Sequence, residues 1–276
     1  MLASLSSAVS GLDAFQQDMN VIGNNIANVN TNGFKSATMD FGDSFSNTLQ
    51  AATAATSSSG SSNTMQVGTG VAIDAISNNW TTGTLAQGNP DDMAIQGEGF
   101  FIVKDPSSTG AQYVTQAGNF TLDSSGFLVT QPNLYRAQGY AISGTTTSQT
   151  LSDIQIGTSG VTDYSMNAAG VVSVLNSSGV SQPIFQVALQ NFANPDALES
   201  VGNNLYGNIT NAGPTGPAAP NTNGLGTISK GEVELSNVDL SGEMANLITA
   251  QRGFEANSKI ITASDEMLQT VVNMIH

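Results

Sequence analysis

The C-terminal stretch from Leu240 to Ile275 carries a seven-residue apolar repeat, and this feature constrains the fold more than any other. The repeat is apolar at every position, namely Leu240, Leu247, Phe254, Ile261, Leu268 and Ile275. An interleaved series is polar in its middle, at Gln251, Ser258 and Asp265. A seven-residue apolar repeat that extends over about five heptads is typical of a helix that packs one stripe against another helix. At about 1.5 Å per residue the helix is roughly 50 Å long, more than one compact domain of this size requires. The sequence therefore predicts a partner helix.

A second helix of the same kind is predicted at the other end of the chain, within residues 2–29. Its apolar stripe consists of Leu2, Leu5, Val9, Leu12, Met19, Ile22 and Ile26. Few charged pairs support it, so we expect it to be stable only when this stripe is covered. The C-terminal helix is the natural cover. The plainer interpretation is an ordinary two-helix packing inside one globule.

The first helix runs into an Asn-rich segment, residues 24–35. Five Asn residues fall in it, at positions 24, 25, 28, 30 and 32. Asn tolerates left-handed backbone and bonds to its own chain, which favours turns and helix ends. Asn32-Gly33 predicts a tight turn. Asn24, Asn25 and Asn28 precede that turn and are predicted to be helical, with amides that can bond to a neighbouring chain.

The middle of the chain predicts strands. Residues 36–66 are interpreted as a linker or arm, because the stretch from Ser44 to Thr64 is rich in Ser, Thr and Ala and too poor in large apolar groups to form a core. Residues 67–236 contain short apolar or alternating runs separated by turn residues, which predicts a β-rich outer domain. Residues 1–35 and 237–276 are predicted as paired terminal helices. The fold class is therefore α+β, with the two long helices paired as a coiled coil around a mainly antiparallel β body.

Composition excludes several classes of partner. The net charge is −15, from six Lys and Arg against twenty-one acidic residues. Phosphate neutralisation needs a basic face that six scattered cations cannot form, so nucleic acid is not an expected partner. Attraction to anionic membranes fails for the same reason. No apolar run approaches the roughly 18 residues of a membrane span, and the N-terminus lacks the pattern of a cleavable secretion signal.

Residues that carry catalytic chemistry are scarce. The chain has no Cys, which removes thiolate nucleophiles and zinc-thiolate sites, and its one His is His276 at the end. The acidic pairs Asp91-Asp92 and Asp265-Glu266 are interpreted as solvated surface groups. We therefore expect no enzymatic activity, no cofactor and no metal site.

Two terminal windows closely resemble the signatures of the bacterial flagellar rod and hook proteins. They are GLDAFQQDMNVIGNNIANVNTNGFK, residues 11–35, and SNVDLSGEMANLITAQRGFEANSKIITASDEMLQ, residues 236–269. The body is similar to the same family in AIQGEGFFIV (94–103), AGNFTLDSSGFLVT (117–130) and FANPDALESVGNNLYG (192–207). The resemblance covers most of the chain, and the paired terminal motifs are highly specific.

Within this family the chain is most similar to a short flagellar hook protein without the extra outer domain of larger ones. The distal rod protein is the alternative. The ending around Ala250-Gln-Arg-Gly-Phe254 and the Asn-Asn-Ile-Ala-Asn segment also occur there, with variations. The resemblance places the Ser/Thr-rich stretch before Gln66 in the region where distal rods carry a stiffening insertion.

The resemblance implies a structural subunit that is exported unfolded by the flagellar type III export apparatus, without a cleavable signal peptide. Subunits then stack helically into a tube, with the terminal helices on the inner wall and the β body outside. Implied partners are copies of the chain itself and the other rod, hook, hook-cap and hook-filament junction proteins. The implied location is the flagellum, in the extracellular hook or the basal body.

We name as the predicted apolar seam the large side chains expected to pack within a subunit and between subunits. Its members are Leu2, Leu5, Val9, Leu12, Met19, Ile26, Leu240, Leu247, Phe254, Ile261, Leu268 and Ile275. The helix-end and linker motif is Asn24, Asn25, Asn28, Asn32 and Gly33.

Two other classes of protein remain as alternatives. A secreted β-rich binding module or adhesin requires an exposed aromatic or groove-forming cluster. The chain offers one Trp, Trp80, for such a cluster. An acid-pair hydrolase requires two carboxylates that converge in a pocket.

Overall fold

The chain folds as two long helices at its ends with antiparallel strands between them. The computed structural model describes residues 2–53, 60–107, 110–143, 146–157, 161–176 and 180–275. The helices are α1 (Leu2–Ala27) and α2 (Leu240–Ile275). This arrangement confirms the predicted α+β class and the two terminal helices.

Twenty strands are assigned in the described part of the chain. In order they are β1 (Ala37–Asp43), β2 (Ser46–Gln50), β3 (Met65–Gly68), β4 (Val71–Asn78), β5 (Leu85–Gln87), β6 (Met93–Gln96), β7 (Phe100–Lys104), β8 (Gln112–Thr115), β9 (Phe120–Leu122), β10 (Leu128–Thr130), β11 (Arg136–Ser143), β12 (Thr146–Asp153), β13 (Val161–Met166), β14 (Val171–Asn176), β15 (Ser181–Val187), β16 (Leu189–Gln190), β17 (Glu199–Gly202), β18 (Leu205–Gly207), β19 (Thr227–Lys230) and β20 (Glu232–Glu234).

Contacts divide the chain into two units. Unit 1 comprises Met1–Ala27, Ala37–Asn79 and Val238–His276. Unit 2 comprises Asn28–Ser36 and Trp80–Asn237. The polypeptide therefore passes from one unit to the other four times.

Unit 1 combines the two helices with an antiparallel ribbon, which consists of the strands β1 to β4 in two successive pairs. Strand β1 pairs with β4, and β2 pairs with β3. Hydrogen bonds from Ser44 N–H to the Gly70 carbonyl, at 3.0 Å, and from Thr69 N–H to the Phe45 carbonyl, at 2.9 Å, join the two ladders. The segment interpreted as a linker thus contributes β1 and β2, and every residue of β2 is exposed.

Helix α2 begins where Asp239 caps it. The Asp239 carboxylate accepts a hydrogen bond from Ser241 N–H at 3.1 Å, and its carbonyl accepts one from Glu243 N–H at 2.9 Å. This is the behaviour of an N-cap Asp, and Glu243 in the first turn adds the acidic group that the helix dipole favours. Neither helix contains Pro, so both run without a break.

Unit 2 holds the larger core. A main sheet follows the strand order β13-β14-β15-β11-β7-β8-β18-β17, with further strands paired at its sides. One cluster of buried side chains includes Met93, Phe101 and Phe120, and a second includes Phe100, Ile102 and Phe192. Because β7 supplies Phe101 to one cluster and its neighbours Phe100 and Ile102 to the other, the two cores lie on opposite faces of this strand.

Candidate functional site on the terminal helices

Helices α1 and α2 run antiparallel and approach each other closely. A Cβ placed on Gly11 would lie 2.5 Å from Nδ2 of Asn257, and one placed on Gly253 would lie 2.5 Å from the Phe15 ring. The first contact pairs an earlier residue of α1 with a later residue of α2, which is the antiparallel order. Glycine at both positions removes the side chain that would hold the helices apart.

The buried residues of the two helices are mostly small or polar. On α1 they are Ala8, Gly11, Ala14, Ile22 and Asn25, and on α2 they are Glu243, Ala250 and Ser264. The α2 set follows the heptad spacing but lies three residues after the apolar series of the sequence analysis. We call these eight residues the small-residue face.

The predicted apolar seam flanks the small-residue face. Its half-buried members are Leu5, Leu12, Met19, Ile26, Leu247, Phe254, Ile261 and Leu268. Val9 is 52% exposed and Leu240 is 43% exposed. The side chains of Leu2 and Ile275 lie outside the described part of the chain. The large apolar groups are therefore only partly covered by the subunit's own fold.

The remaining members of the heptad pattern face outward or partly so. Gln251 and Asp265 are exposed, and Ser258 is half-buried. The interleaved series that completes the inward face is instead Glu243, Ala250, Asn257 and Ser264. Sequence reasoning missed these residues because it considered only large apolar groups. Their seven-residue spacing and mostly small size were a usable signal.

Exposed apolar side chains are concentrated in unit 1. Of the twenty-two large hydrophobic residues that are exposed in the described part of the chain, sixteen belong to unit 1. Of the thirty-three buried hydrophobic residues, only five do. The exposed ones on α2 are Leu240, Met244, Ile248, Ile260, Met267, Val271, Val272 and Met274. Those on the ribbon are Phe41, Phe45, Leu49, Met65, Val67, Ile73 and Ile76. Unit 1 thus has a large apolar surface for its small core.

Asn25 ties both helices and the ribbon together. Its side-chain amide donates hydrogen bonds to the Ala37 carbonyl at 2.8 Å and to the Glu243 carboxylate at 3.0 Å. Its side-chain oxygen accepts the Ala37 N–H at 3.0 Å. Asn25 is 1% exposed and Glu243 is 9% exposed. The amide that the sequence offered to a neighbouring chain is used inside the subunit, where one buried Asn sets the helix register.

The other members of the helix-end motif have separate roles. Asn24 is exposed at the end of α1. Asn28, which was predicted to be helical, lies in the turn after Ala27, where its carbonyl accepts Thr31 N–H at 3.0 Å in a four-residue turn. The Asn32 carbonyl accepts the Asn204 side-chain amide at 2.7 Å.

Gly33 meets a backbone requirement in unit 2. Its φ of +69° is left-handed, and a Cβ there would lie 2.6 Å from the Ala117 Cα. Glycine alone satisfies both conditions without strain. The tight turn predicted at this position has its physical reason in that close approach.

The interpretation of the acidic pairs as solvated surface groups is wrong for Asp91-Asp92, because Asp91 is half-buried and Asp92 is buried, whereas Asp265 and Glu266 are exposed. Asp91 accepts a hydrogen bond from the Tyr164 hydroxyl at 2.6 Å, and burial together with this bond raises the pKa of Tyr164. Asp92 is buried and accepts Asn89 N–H at 2.6 Å. Within the described residues, no group of His, Cys, Asp and Glu has the arrangement of a metal site.

Trp80 is part of an aromatic cluster in unit 2. Its ring packs edge-on against Phe100 and Tyr206, at centroid distances of 5.2 and 5.1 Å. Its indole N–H donates to the Asp196 carboxylate at 2.8 Å. The residue that an adhesin would display is therefore engaged in packing.

Across the described residues, neither helix is long and apolar enough to cross a membrane.

These features define a class of protein: a structural subunit whose paired terminal helices carry apolar surface. Comparison with known families agrees. Residues 5–35 match the flagella basal body rod protein model, residues 94–174 the flagellar hook protein FlgE/F/G D1 domain, and residues 229–274 the flagellar basal body rod FlgEFG protein C-terminal model. The chain belongs to the family of bacterial flagellar rod and hook proteins, a family of structural proteins and not of enzymes.

Individual relatives refine this picture. The chain is 41% identical to the flagellar basal-body rod protein FlgG of Bacillus subtilis (strain 168), over 99% of both chains. It is 36% identical to the FlgG of Caulobacter vibrioides, over 97% of both chains. Identity to the flagellar hook protein FlgE of Treponema pallidum (strain Nichols) is 24%, over 99% of this chain and all of that one. The preference for a hook protein is not confirmed, and the names of these relatives favour its rod alternative.

Proposed function

We propose that the chain is a distal rod subunit of the flagellar basal body, the alternative that the sequence left open. Two facts support the rod over the hook. The rod relatives match this chain along nearly their whole length, whereas the alignment with the hook protein spreads over 464 positions. The exposed ribbon after α1 also supplies an ordered arm where the resemblance places the stiffening insertion of distal rods.

The observation that carries the proposal is the distribution of apolar surface. Among the described residues, unit 2 buries most of its large apolar side chains in two cores and exposes six, while unit 1 exposes sixteen large apolar side chains. Apolar surface on this scale lowers the free energy when another molecule covers it, by about 25 cal/mol per Å². Copies of the same chain are the proposed cover, because repeated contacts between unlike surfaces that do not close into a ring build a filament.

The proposed assembly gives each segment a role. The terminal segments, residues 1–35 and 237–276, form the inner wall of the tube. Residues 36–66 form an arm, and residues 67–236 form the outer domain. The subunit reaches this place unfolded through the type III export apparatus, and the neighbouring rod, hook, hook-cap and junction proteins are its partners beyond its own copies.

A matched pair of substitutions tests self-assembly. Ile248 on α2 is 60% exposed and Val201 on β17 of unit 2 is 56% exposed, so each can be changed to Ser without disturbing a core. Covering Ile248 in an assembly contributes about 1–2 kcal/mol, so Ile248→Ser is expected to raise the critical concentration for tube formation about 10-fold. Val201→Ser is the control, with a change of less than about 2-fold.

Sedimentation and electron microscopy of concentrated full-length protein measure this concentration. Tubes that form equally well from both variants would contradict a role for the α2 surface. Deleting residues 1–30 provides a stronger perturbation and should abolish tubes. Antibody labelling of detached flagella separates the two family members: label on the rod supports the proposal, and label confined to the hook overturns it.

A further inference from the structure

Three of the four connections between the units start from one buried polar network in unit 2. The chain crosses between the units at Ala27/Asn28, Ser36/Ala37, Asn79/Trp80 and Asn237/Val238, and the last three of these crossings border the network. The residues of unit 2 that precede or follow these three crossings bond to one another. Such a meeting of segments far apart in sequence can hold all three connections in fixed positions.

An ion pair lies at the centre of this network. Lys35 Nζ is 2.6 Å from Oε1 of Glu234, and the two side chains are 1% and 2% exposed. Lys35 also donates to the Thr81 carbonyl at 2.9 Å, and Glu234 Oε1 also accepts Gly83 N–H at 2.6 Å. One pair of charges therefore contacts all three connections.

Backbone bonds surround the ion pair. Ser36 N–H donates to the side-chain oxygen of Asn237 at 2.8 Å, and Leu235 N–H donates to the Thr84 carbonyl at 2.9 Å. The side-chain amide of Asn237 donates to the Thr81 carbonyl at 3.1 Å. A Cβ on Gly83 would overlap the Leu235 carbonyl, so the residues that follow the Asn79/Trp80 crossing lie directly on the segment that precedes the Asn237/Val238 crossing.

A buried ion pair adds little net stability, but it strongly restricts the geometry of the groups that bond to it. Removing both charges from water costs about as much as their attraction returns, so apolar side chains of similar volume stabilise equally well. Apolar groups, however, tolerate many arrangements, whereas an ammonium and a carboxylate must meet each other and their remaining partners. The pair therefore specifies one arrangement of the segments that bond to it.

We propose that Lys35 and Glu234 are positioning residues that clamp three of the four connections together, so that these three leave unit 2 as one rigid group. The clamp is a property of the subunit. Its consequence for an assembled rod rests on the proposed function: force on the terminal helices would enter the β body through the three clamped connections at once.

Hydrogen exchange of the full-length subunit tests the clamp, with Ser36 and Leu235 as reporters. Neither amide bonds to the side chain of Lys35 or Glu234, so a substitution at these two positions removes no hydrogen bond of either amide directly. Lys35→Met strands the Glu234 carboxylate, and both amides should then exchange about 100-fold faster than in the wild type. The amide of Ile102 in the main sheet is the internal reference and should keep its protection.

A double variant separates positioning from stability. Lys35→Met with Glu234→Leu replaces the pair by apolar groups, so the melting temperature should return close to that of the wild type. The Ser36 and Leu235 amides should still exchange about 10-fold faster than in the wild type. Arg136→Met is the matched control, because Arg136 and Asp153 form an ion pair at 2.9 Å that is about one-third exposed, with side-chain exposures of 32% and 26%.

Two outcomes would overturn the clamp. One is unchanged protection of Ser36 and Leu235 in both variants. The other is full protection in the double variant, which would assign the arrangement to the backbone alone. Tube formation is a separate measurement: wild-type protein that never assembles refutes the proposed function but leaves the exchange result valid.

Discussion

Replacement of Asn25 is the sharpest perturbation of the helix pair. Asn25→Ala removes three hydrogen bonds, two to the Ala37 backbone and one to the Glu243 carboxylate. A buried polar group left without a partner costs about 1–3 kcal/mol. Ala37 is half-buried and can recover part of its hydration, whereas Glu243 is nearly covered. The expected loss for unit 1 is about 3–5 kcal/mol.

Two optical signals follow the two units separately. Helices α1 and α2 have 26 and 36 residues, while the helical segments of unit 2 in the described chain are short 3-10 turns. Ellipticity at 222 nm therefore reports unit 1. The one Trp, Trp80, packs on Phe100 and Tyr206 in unit 2, so its fluorescence reports that unit.

In a urea titration, Asn25→Ala should lower the midpoint of the 222 nm transition by about 2–3 M, given a slope of roughly 1–2 kcal/mol per M. The Trp80 transition should stay where it is in the wild type. Gln16→Ala removes an amide from an exposed position on the same helix and should change unit 1 by less than about 0.5 kcal/mol. Equal midpoints for Asn25→Ala and Gln16→Ala would refute the role given to Asn25.

Two further predictions concern the same helices. Gly253→Ala places a Cβ 2.5 Å from the Phe15 ring and should cancel the usual gain of about 1 kcal/mol in helix propensity, whereas Gly23→Ala, with open space around it, should keep that gain; equal 222 nm midpoints for the two variants would contradict the close approach. Burial raises the pKa of Asp18, so its native state binds the proton more tightly than the unfolded state and loses stability as pH rises through the native pKa. Asp18→Asn should therefore stabilise unit 1 at pH 7, by on the order of a few tenths of a kcal/mol for a largely solvated group, and give no gain at about pH 3. The exposed Asp13→Asn on the same helix is the control; a gain for Asp18→Asn that persists at low pH would exclude this cause.

Local pattern determined much of the fold. Heptad spacing predicted α2, and the short apolar or alternating runs of residues 67–236 predicted strands, among which the structure contains β7 (Phe100–Lys104) and β8 (Gln112–Thr115). These elements were predictable because a period of seven or of two residues is a property of neighbouring positions. Family membership also followed from the sequence, since the terminal motifs are contiguous. The strands β1 and β2 did not stand out, because their pairing with residues 65–78 supplies what their composition lacks.

Tertiary structure alone decided which helix face turns inward. The series at Leu247, Phe254 and Ile261 is flanked on each side by a second series with the same seven-residue spacing. The stripe predicted from the sequence used the side with more large apolar residues. The structure uses the other side, at Ala250 and Ser264, because two helices can approach closely only where side chains are small. The spacing of apolar residues shows which side chains are more stable when buried. It does not show whether the same chain or another copy of the chain buries them. The bonds of Asn25 to Glu243 and of Lys35 to Glu234 join residues about two hundred positions apart, and only the folded chain brings them together.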